Sequence, residues 1–256
     1  METFDLSITV LVMLCLAAMV AGFVDTLVGG GGLITLPALM MAGMPPILAL
    51  GTNKLQSVVG TGTASLMMFK RRKVLFKPVR GLMLTAFLGS IIGTIGVQYI
   101  TTELLNVIIP LVIFLIAVYF TLSPNQTSIT REARITADSY KNRVIPSIGF
   151  YDGMFGPGTG SFYVLSGVSL RGQDIIQATA IAKPLNFATN FASLLVFIFF
   201  GKIVWLVGGV MMLGQVIGAN IGARTLLTIN PDLLRYLVIA ACSVMLVSWF
   251  VSSLNN

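Results

Sequence analysis

The sequence predicts an all-α polytopic membrane protein built from two inverted-topology repeats with broken or re-entrant helices, and three observations predict it. The chain is 56% hydrophobic and 10% charged, with a mean hydropathy of +0.93, whereas soluble domains carry about 25% charged residues. Its apolar runs are separated by short polar breaks, and several exceed the ~20 residues needed to cross the hydrocarbon. A glycine-rich break also occurs twice. Gly22 to Gly32 reads Gly-Phe-Val-Asp-Thr-Leu-Val-Gly-Gly-Gly-Gly, and Gly149 to Gly160 reads Gly-Phe-Tyr-Asp-Gly-Met-Phe-Gly-Pro-Gly-Thr-Gly; Gly22/Gly149, Asp25/Asp152 and Gly29/Gly156 are each 127 positions apart.

In chain order, apolar runs lie near residues 6–28, 33–43, 47–69, 79–100, 104–122, 144–155, 160–170, 175–200, 203–223 and 233–252. Runs 33–43, 144–155 and 160–170 are too short to span upright and read as half-helices or re-entrant hairpins. The start, Met-Glu-Thr-Phe-Asp, has no basic n-region, so the first run is expected to remain as a membrane helix and not to be cleaved as a signal peptide. Cys15 and Cys242 stand singly inside apolar runs, there is no histidine, and both thiols read as small buried hydrophobes. A net charge of +7 would suggest nucleic acid in a soluble protein. Here its distribution has a simpler reading, and no nucleic-acid partner is expected.

Lys70, Arg71, Arg72, Lys73, Lys77 and Arg80 crowd one short connection, which the positive-inside rule puts in the cytoplasm. The polar linker 123–143, with Arg131, Arg134, Lys141 and Arg143, then returns to the same side. In the second half the equivalent connection is Gly201-Lys202, expected outside, so the second copy is upside down. Arg171, Arg224 and Arg235 fall inside, which puts thirteen of the 16 basic residues in the cytoplasm; Lys202 violates the rule, and Lys54 and Lys183 lie within apolar runs. The expected organisation is a first transmembrane repeat (1–122), a cytoplasmic linker (123–143) and a second, inverted repeat (144–256). It sits in the inner (plasma) membrane as a multi-pass protein with both termini outside the cytoplasm. Gly89/Gly93 and Gly214/Gly218, each 125 positions apart, extend the repeat and read as close helix packing.

Asp25, Lys54, Asp152 and Lys183 are thereby placed inside the membrane. Each charge at the bilayer centre costs roughly 2.5 to 3.5 kcal/mol, so such groups are functional candidates by default. Lys54 and Lys183 are the eighth and about the ninth residues of runs entering from opposite interfaces. At ~1.5 Å rise per residue both approach the same central layer. On one reading they bind an anionic substrate with the help of Asn53, Gln56, Ser57, Asn186 and Asn190; Lys183, Asn186 and Asn190 share a helix face. On the other, each lysine neutralises the aspartate of its own repeat in a structural pair.

The glycine breaks, with Gly29, Gly30, Gly31, Gly156 and Gly158 as candidates, offer a second attraction for anions. A half-helix starting near Leu33 or Ser161 would aim free N–H groups and its positive dipole end into a cavity. Pro37 is expected in or near the first turn of that helix, where a missing N–H is tolerated. With no histidine, Asp25 and Asp152 are the candidates for proton coupling; the alternative is that each caps the broken backbone and never titrates. The glycine run is no nucleotide loop, since it has no preceding strand and no Gly-Lys-Ser/Thr. There is no catalytic dyad or metal-ligand cluster, so no cofactor, metal or enzymatic activity is expected.

A duplicated break carrying an acid inside an apolar chain is the pattern of a secondary transporter whose site lies where the broken helices meet. At these residues the chain resembles the TauE/SafE family, the sulfite and organosulfonate exporters, and its YfcA-like branch in particular. The matching stretches are Gly22 to Pro37, Gly-Thr-Asn-Lys-Leu-Gln from Gly51 to Gln56, and Ala-Lys-Pro-Leu-Asn-Phe from Ala182 to Phe187. The resemblance implies export of a small sulfur-containing anion such as sulfite, thiosulfate or sulfoacetate across the bilayer without ATP hydrolysis. Pro157 and Thr159 stand where the first copy has Gly30 and Gly32, which argues against equal roles for the halves. A passive anion channel, and a membrane scaffold or enzyme that uses the cavity without transport, are the competing readings.

Overall fold

The structure, a computed structural model, describes residues 6–122 and 132–225. The expected run 233–252, with Arg235, Cys242 and the carboxyl terminus, lies outside the described residues, as do residues 1–5 and the linker residues 123–131 with Arg131. Within the described residues the elements are helices: α1 (Ile8–Val28), α2 (Gly32–Met41), α3 (Pro46–Lys70), α4 (Phe76–Val97), α5 (Thr102–Leu122), α6 (Ala137–Ser139), α7 (Ile145–Met154), α8 (Thr159–Arg171), α9 (Ile175–Phe199) and α10 (Trp205–Thr225). A π-helical stretch, Tyr140–Val144, joins α6 to α7.

Helix ends follow local chemistry. Ser7 accepts from the Val10 N–H to start α1, Pro46 opens α3 where its missing N–H is harmless, and the Asp174 carboxylate accepts from Ile176 and Gln177 N–H to start α9. α1 stops at Gly29, which has φ +86°, a left-handed conformation that glycine adopts without strain. The three short runs are helices of 10, 10 and 13 residues (α2, α7, α8). Pro37 is the sixth residue of α2, one residue deeper than a start at Leu33 gives and past the first turn, because the helix already begins at Gly32.

Burial is inverted relative to a soluble protein. The outer faces are apolar, with Val12, Leu16 and Val20 of α1, Leu84, Leu88 and Ile92 of α4, and Leu213, Ile217 and Ile221 of α10 all exposed. Asp25, Asn53, Lys54, Gln56, Asp152, Lys183, Asn186 and Asn190 are buried. Among the described residues, four helices are long and apolar enough to cross a membrane, Ile8–Leu27, Phe76–Val97, Ile175–Phe199 and Trp205–Thr225. The chain is a helical polytopic membrane protein whose polar groups face its own interior.

Packing crosses between the two halves. α1 lies along α10 and α4 lies along α7, while α3 and α9 cross in the centre and also contact α10 and α4 respectively. Glycines set the approach: a Cβ at Gly214 or Gly218 would overlap the carbonyl oxygens of Cys15 or Met19, and one at Gly89 or Gly93 those of Pro146 or Phe150. These are the small-residue contacts expected from the Gly-xxx-Gly spacing. The residue order of the contacts gives directions. Cys15 and Phe23 meet Gly214 and Gly222, so α1 and α10 run parallel; Gly51 meets Phe197 and Gly62 meets Phe187, so the corresponding helices α3 and α9 run antiparallel. The basic connection 70–80 and the linker end share one end of the bundle, since Lys141 lies over Gly81 and Arg171 donates to the Ile135 carbonyl. Lys202 sits beside Gly51 near the other end of α3.

Candidate anion site where the two breaks meet

The break after α1 and the break before α8 touch. A Cβ on Gly29 would come 2.5 Å from Gly160 Cα, and one on Gly160 would come 2.5 Å from Gly29 Cα. Beside this contact is a polar cavity lined by Asp25, Gly29, Gly32, Asn53, Ser57, Gly156, Asn186 and Asn190. It is small, about 10 Å³, room for roughly one water molecule. The duplicated motif and the amides of α3 and α9 therefore converge on one place from both halves.

The lysines lie behind this lining and reach across the halves. Lys54 Nζ donates to Asp152 Oδ1 (2.8 Å) and to the Asp152 backbone oxygen (2.6 Å), with both side chains 1% exposed. Lys183 Nζ donates to the Asp25 backbone oxygen at 2.6 Å. The expected alternative, in which each lysine pairs with the aspartate of its own half, is thus not the arrangement: Lys54 engages Asp152 and Lys183 engages Asp25. Both lysines are held at carbonyls beside a break: Lys54 at that of Asp152 near the end of α7, and Lys183 as a second donor to that of Asp25, which also accepts the Gly29 N–H at 2.8 Å.

The carboxylates do different things. Asp25 Oδ1 accepts from the Gly31 N–H at 3.1 Å, while Asp152 Oδ1 accepts from Thr159 Oγ1 at 3.0 Å as well as from Lys54. Leu33 and Ile34 N–H bond the carbonyls of Gly30 and Gly31. In the first break, then, donors that the sequence reading assigned to an incoming anion are met by the chain's own oxygens, as buried N–H groups must be. Gly31 serves as a donor to Asp25, Gly158 packs against Ile116, and neither these two nor Gly30 lines the cavity.

A side-chain network sets the amides. Gln56 Nε2 donates to Asn53 Oδ1 (2.8 Å) and Ser57 Oγ (3.1 Å), and Thr35 Oγ1 also reaches Asn53 Oδ1. Asn190 Nδ2 donates to Asn186 Oδ1 at 3.1 Å and to the Asn186 carbonyl at 2.8 Å. Gln56 supports Asn53 from behind and is absent from the lining. Sequence reasoning missed Gly32, Thr35, Tyr151 and Thr159. Tyr151 hydroxyl donates to the Pro157 carbonyl at 2.6 Å and ties down the second break. Thr35, the one polar side chain of α2, was a usable signal. Among the described residues no group of three metal-ligating side chains occurs.

Buried opposite charges, amides and broken helix ends meeting at the heart of an apolar bundle define the chain as a polytopic membrane protein with an internal polar site. The family model described as Sulfite exporter TauE/SafE matches residues 14–248, and the chain belongs to that family. It is 42% identical over 235 residues to a protein of Haemophilus influenzae described as a probable membrane transporter protein, covering 92% of each chain. It is 40% identical over 249 residues to the probable membrane transporter protein YfcA of Escherichia coli K12, covering 96% of this chain and 93% of that one. A Sinorhizobium protein described as probable membrane transporter protein ORF9 is 40% identical over 235 residues, 92% of this chain and 90% of its own. No solved structure matches the chain.

Proposed function

We propose that the chain is a secondary transporter that exports a small sulfur-containing anion, such as sulfite, thiosulfate or an organosulfonate like sulfoacetate, by alternating access between two inverted repeats. The observation that carries this reading is the convergence of both breaks and four amide- or hydroxyl-bearing side chains on one cavity, with both buried lysines bonded behind its lining. Two ammonium groups held in a low-dielectric core favour an anion far more than they would in water. Amides of Asn53, Asn186 and Asn190 supply donors for sulfur-bound oxygens. The antiparallel course of α3 and α9 and the crossed packing support the inverted repeat. The family description and the relatives' names support transport and the class of substrate.

In the closed arrangement the cavity has no room for such an anion, so binding requires the breaks to part. The two crossed lysine contacts join the halves at that point, and an anion able to replace a carbonyl or carboxylate at an ammonium group would loosen one of them. Rocking of one half against the other about the site is the motion such repeats support. The reading keeps the basic connection 70–80 and the linker in the cytoplasm, both termini outside, and the protein in the inner membrane. Efflux of radiolabelled sulfite, thiosulfate and sulfoacetate from proteoliposomes tests it. Saturable, mutually competing efflux is expected for at least one; conductance without saturation would favour a channel, and no flux of any of them would overturn the proposal.

A further inference from the structure

The two halves are alike in sequence but unlike in bonding, and this bears on how an anion is accommodated. Among the described residues the buried carboxylates and ammonium groups are those of Asp25, Lys54, Asp152 and Lys183, two of each sign, so the closed core is neutral. A bound monoanion would leave one uncompensated negative charge in a low dielectric, which is strongly unfavourable. Neutrality returns if one carboxylate takes a proton from the aqueous phase as the anion enters.

Geometry separates the two carboxylates. Asp152 is held by Lys54 at two points and by Thr159, and does not line the cavity. Gly156 presses on the pair: a Cβ there would lie 3.0 Å from Lys54 Nζ and 3.2 Å from Asp152 Oδ1. Asp152 Oδ2 is buried with no hydrogen-bond partner, so a proton placed there would find no acceptor. Asp25 lines the cavity, its carboxylate is bonded to one backbone N–H, and no carboxylate among the described residues lies within the 4.0 Å ion-pair limit of Lys183. The charged and titratable groups around Asp25 are Lys183 of α9, Lys54 of α3 and Asp152 of α7. α2 carries none, α10 has Arg224, exposed at its end, and α8 has buried Tyr163 and, at its far end, Arg171.

We propose that the halves divide the work: Lys183 is the ammonium group that engages the anion, Asp25 takes up the one proton that travels with it, and Lys54–Asp152 is a fixed strut between the repeats. This rests on the transport reading above and adds its stoichiometry. Monoanion movement is then electroneutral, anion and proton cross in the same direction, and net export requires the outward anion gradient to exceed the inward proton gradient.

The test uses the full chain in proteoliposomes with radiolabelled sulfite on the acid side of neutrality, where it is the monoanion hydrogensulfite, or with the dianions thiosulfate or sulfoacetate, measuring anion–anion exchange and accumulation under an imposed pH gradient with the membrane potential clamped at zero. One coupled proton sustains about tenfold accumulation per pH unit. Wild type should reach that ratio, Asp25→Asn should fall to about onefold, and Asp25→Glu should recover accumulation. Asp152→Asn should unfold at lower temperature, and its folded fraction should keep the wild-type ratio of accumulation to exchange. If wild type exchanges none of the three anions, the transport reading itself fails. Exchange by wild type without accumulation, or an Asp25→Asn protein that still accumulates tenfold, overturns the coupling proposal and leaves transport standing.

Discussion

Replacing Lys54 and Lys183 separately by methionine should have unequal consequences, although the two lysines were expected at matched depths and each is 1% exposed. Lys54→Met strands the Asp152 carboxylate, which loses its ion pair at 2.8 Å and keeps only the Thr159 hydroxyl. Removing one partner of a buried pair costs about 3 to 5 kcal/mol. Lys183→Met removes one of two donors to the Asp25 backbone oxygen, which keeps the Gly29 N–H at 2.8 Å, and strands no carboxylate among the described residues within 4.0 Å; a hydrogen bond to a charged group contributes about 1.5 to 3 kcal/mol. The expected gap is therefore about 2 kcal/mol, with Lys54→Met the less stable. Lys54→Met/Asp152→Asn should recover most of the loss, because the uncompensated charge goes with the second change. Unfolding by sodium dodecyl sulfate in mixed micelles, followed by far-ultraviolet circular dichroism, measures all three. Equal losses in the two single variants, or a double variant no more stable than Lys54→Met, would refute the reasoning.

Gly29→Ala should lose about 2 to 5 kcal/mol in the same assay, combining the left-handed backbone at φ +86° with the overlap on Gly160; a loss under 1 kcal/mol would mean that the breaks are not in contact. Gly218→Val should prevent folding or unfold readily, since its Cβ meets the Met19 carbonyl, whereas Gly209→Ala on the same helix has nothing within 4 Å and should gain about 0.5 to 1 kcal/mol. Topology reporters fused in the linker 123–143 and at the carboxyl terminus should give opposite signals. Like signals there would contradict the inverted repeat.

Helix extents were readable because lipid and a low-dielectric interior both demand apolar, internally hydrogen-bonded segments. The run 47–69 became Pro46–Lys70 and the run 175–200 became Ile175–Phe199. The half-helices were readable for the same reason, with starts at Gly32 and Thr159 against expected starts near Leu33 and Ser161. The partner of each lysine was not readable. Depth alone puts Lys54 and Lys183 in one layer with two aspartates, and only the crossing of α3 over α9 decides that Lys54 meets Asp152 and Lys183 meets the Asp25 carbonyl. Capping of the broken backbone by Asp25 was one of the two readings of that residue, and its carboxylate does accept the Gly31 N–H; which of the available donors it takes was not readable from a glycine run. The π-helical stretch at Tyr140–Val144 left no periodic signal in a segment five residues long.

The most direct test of an anion site at the meeting of the breaks is calorimetric titration of the purified protein with sulfite, thiosulfate, sulfoacetate, taurine and phosphate, for wild type and Lys183→Met side by side. Saturable heat is expected in the wild type for at least one of the sulfur-containing anions. It should be absent in folded Lys183→Met and poorly restored by Lys183→Arg, whose planar fork does not reproduce a compact ammonium group. Unaltered binding by Lys183→Met, or no binding of any of these anions by the wild type, would contradict the account.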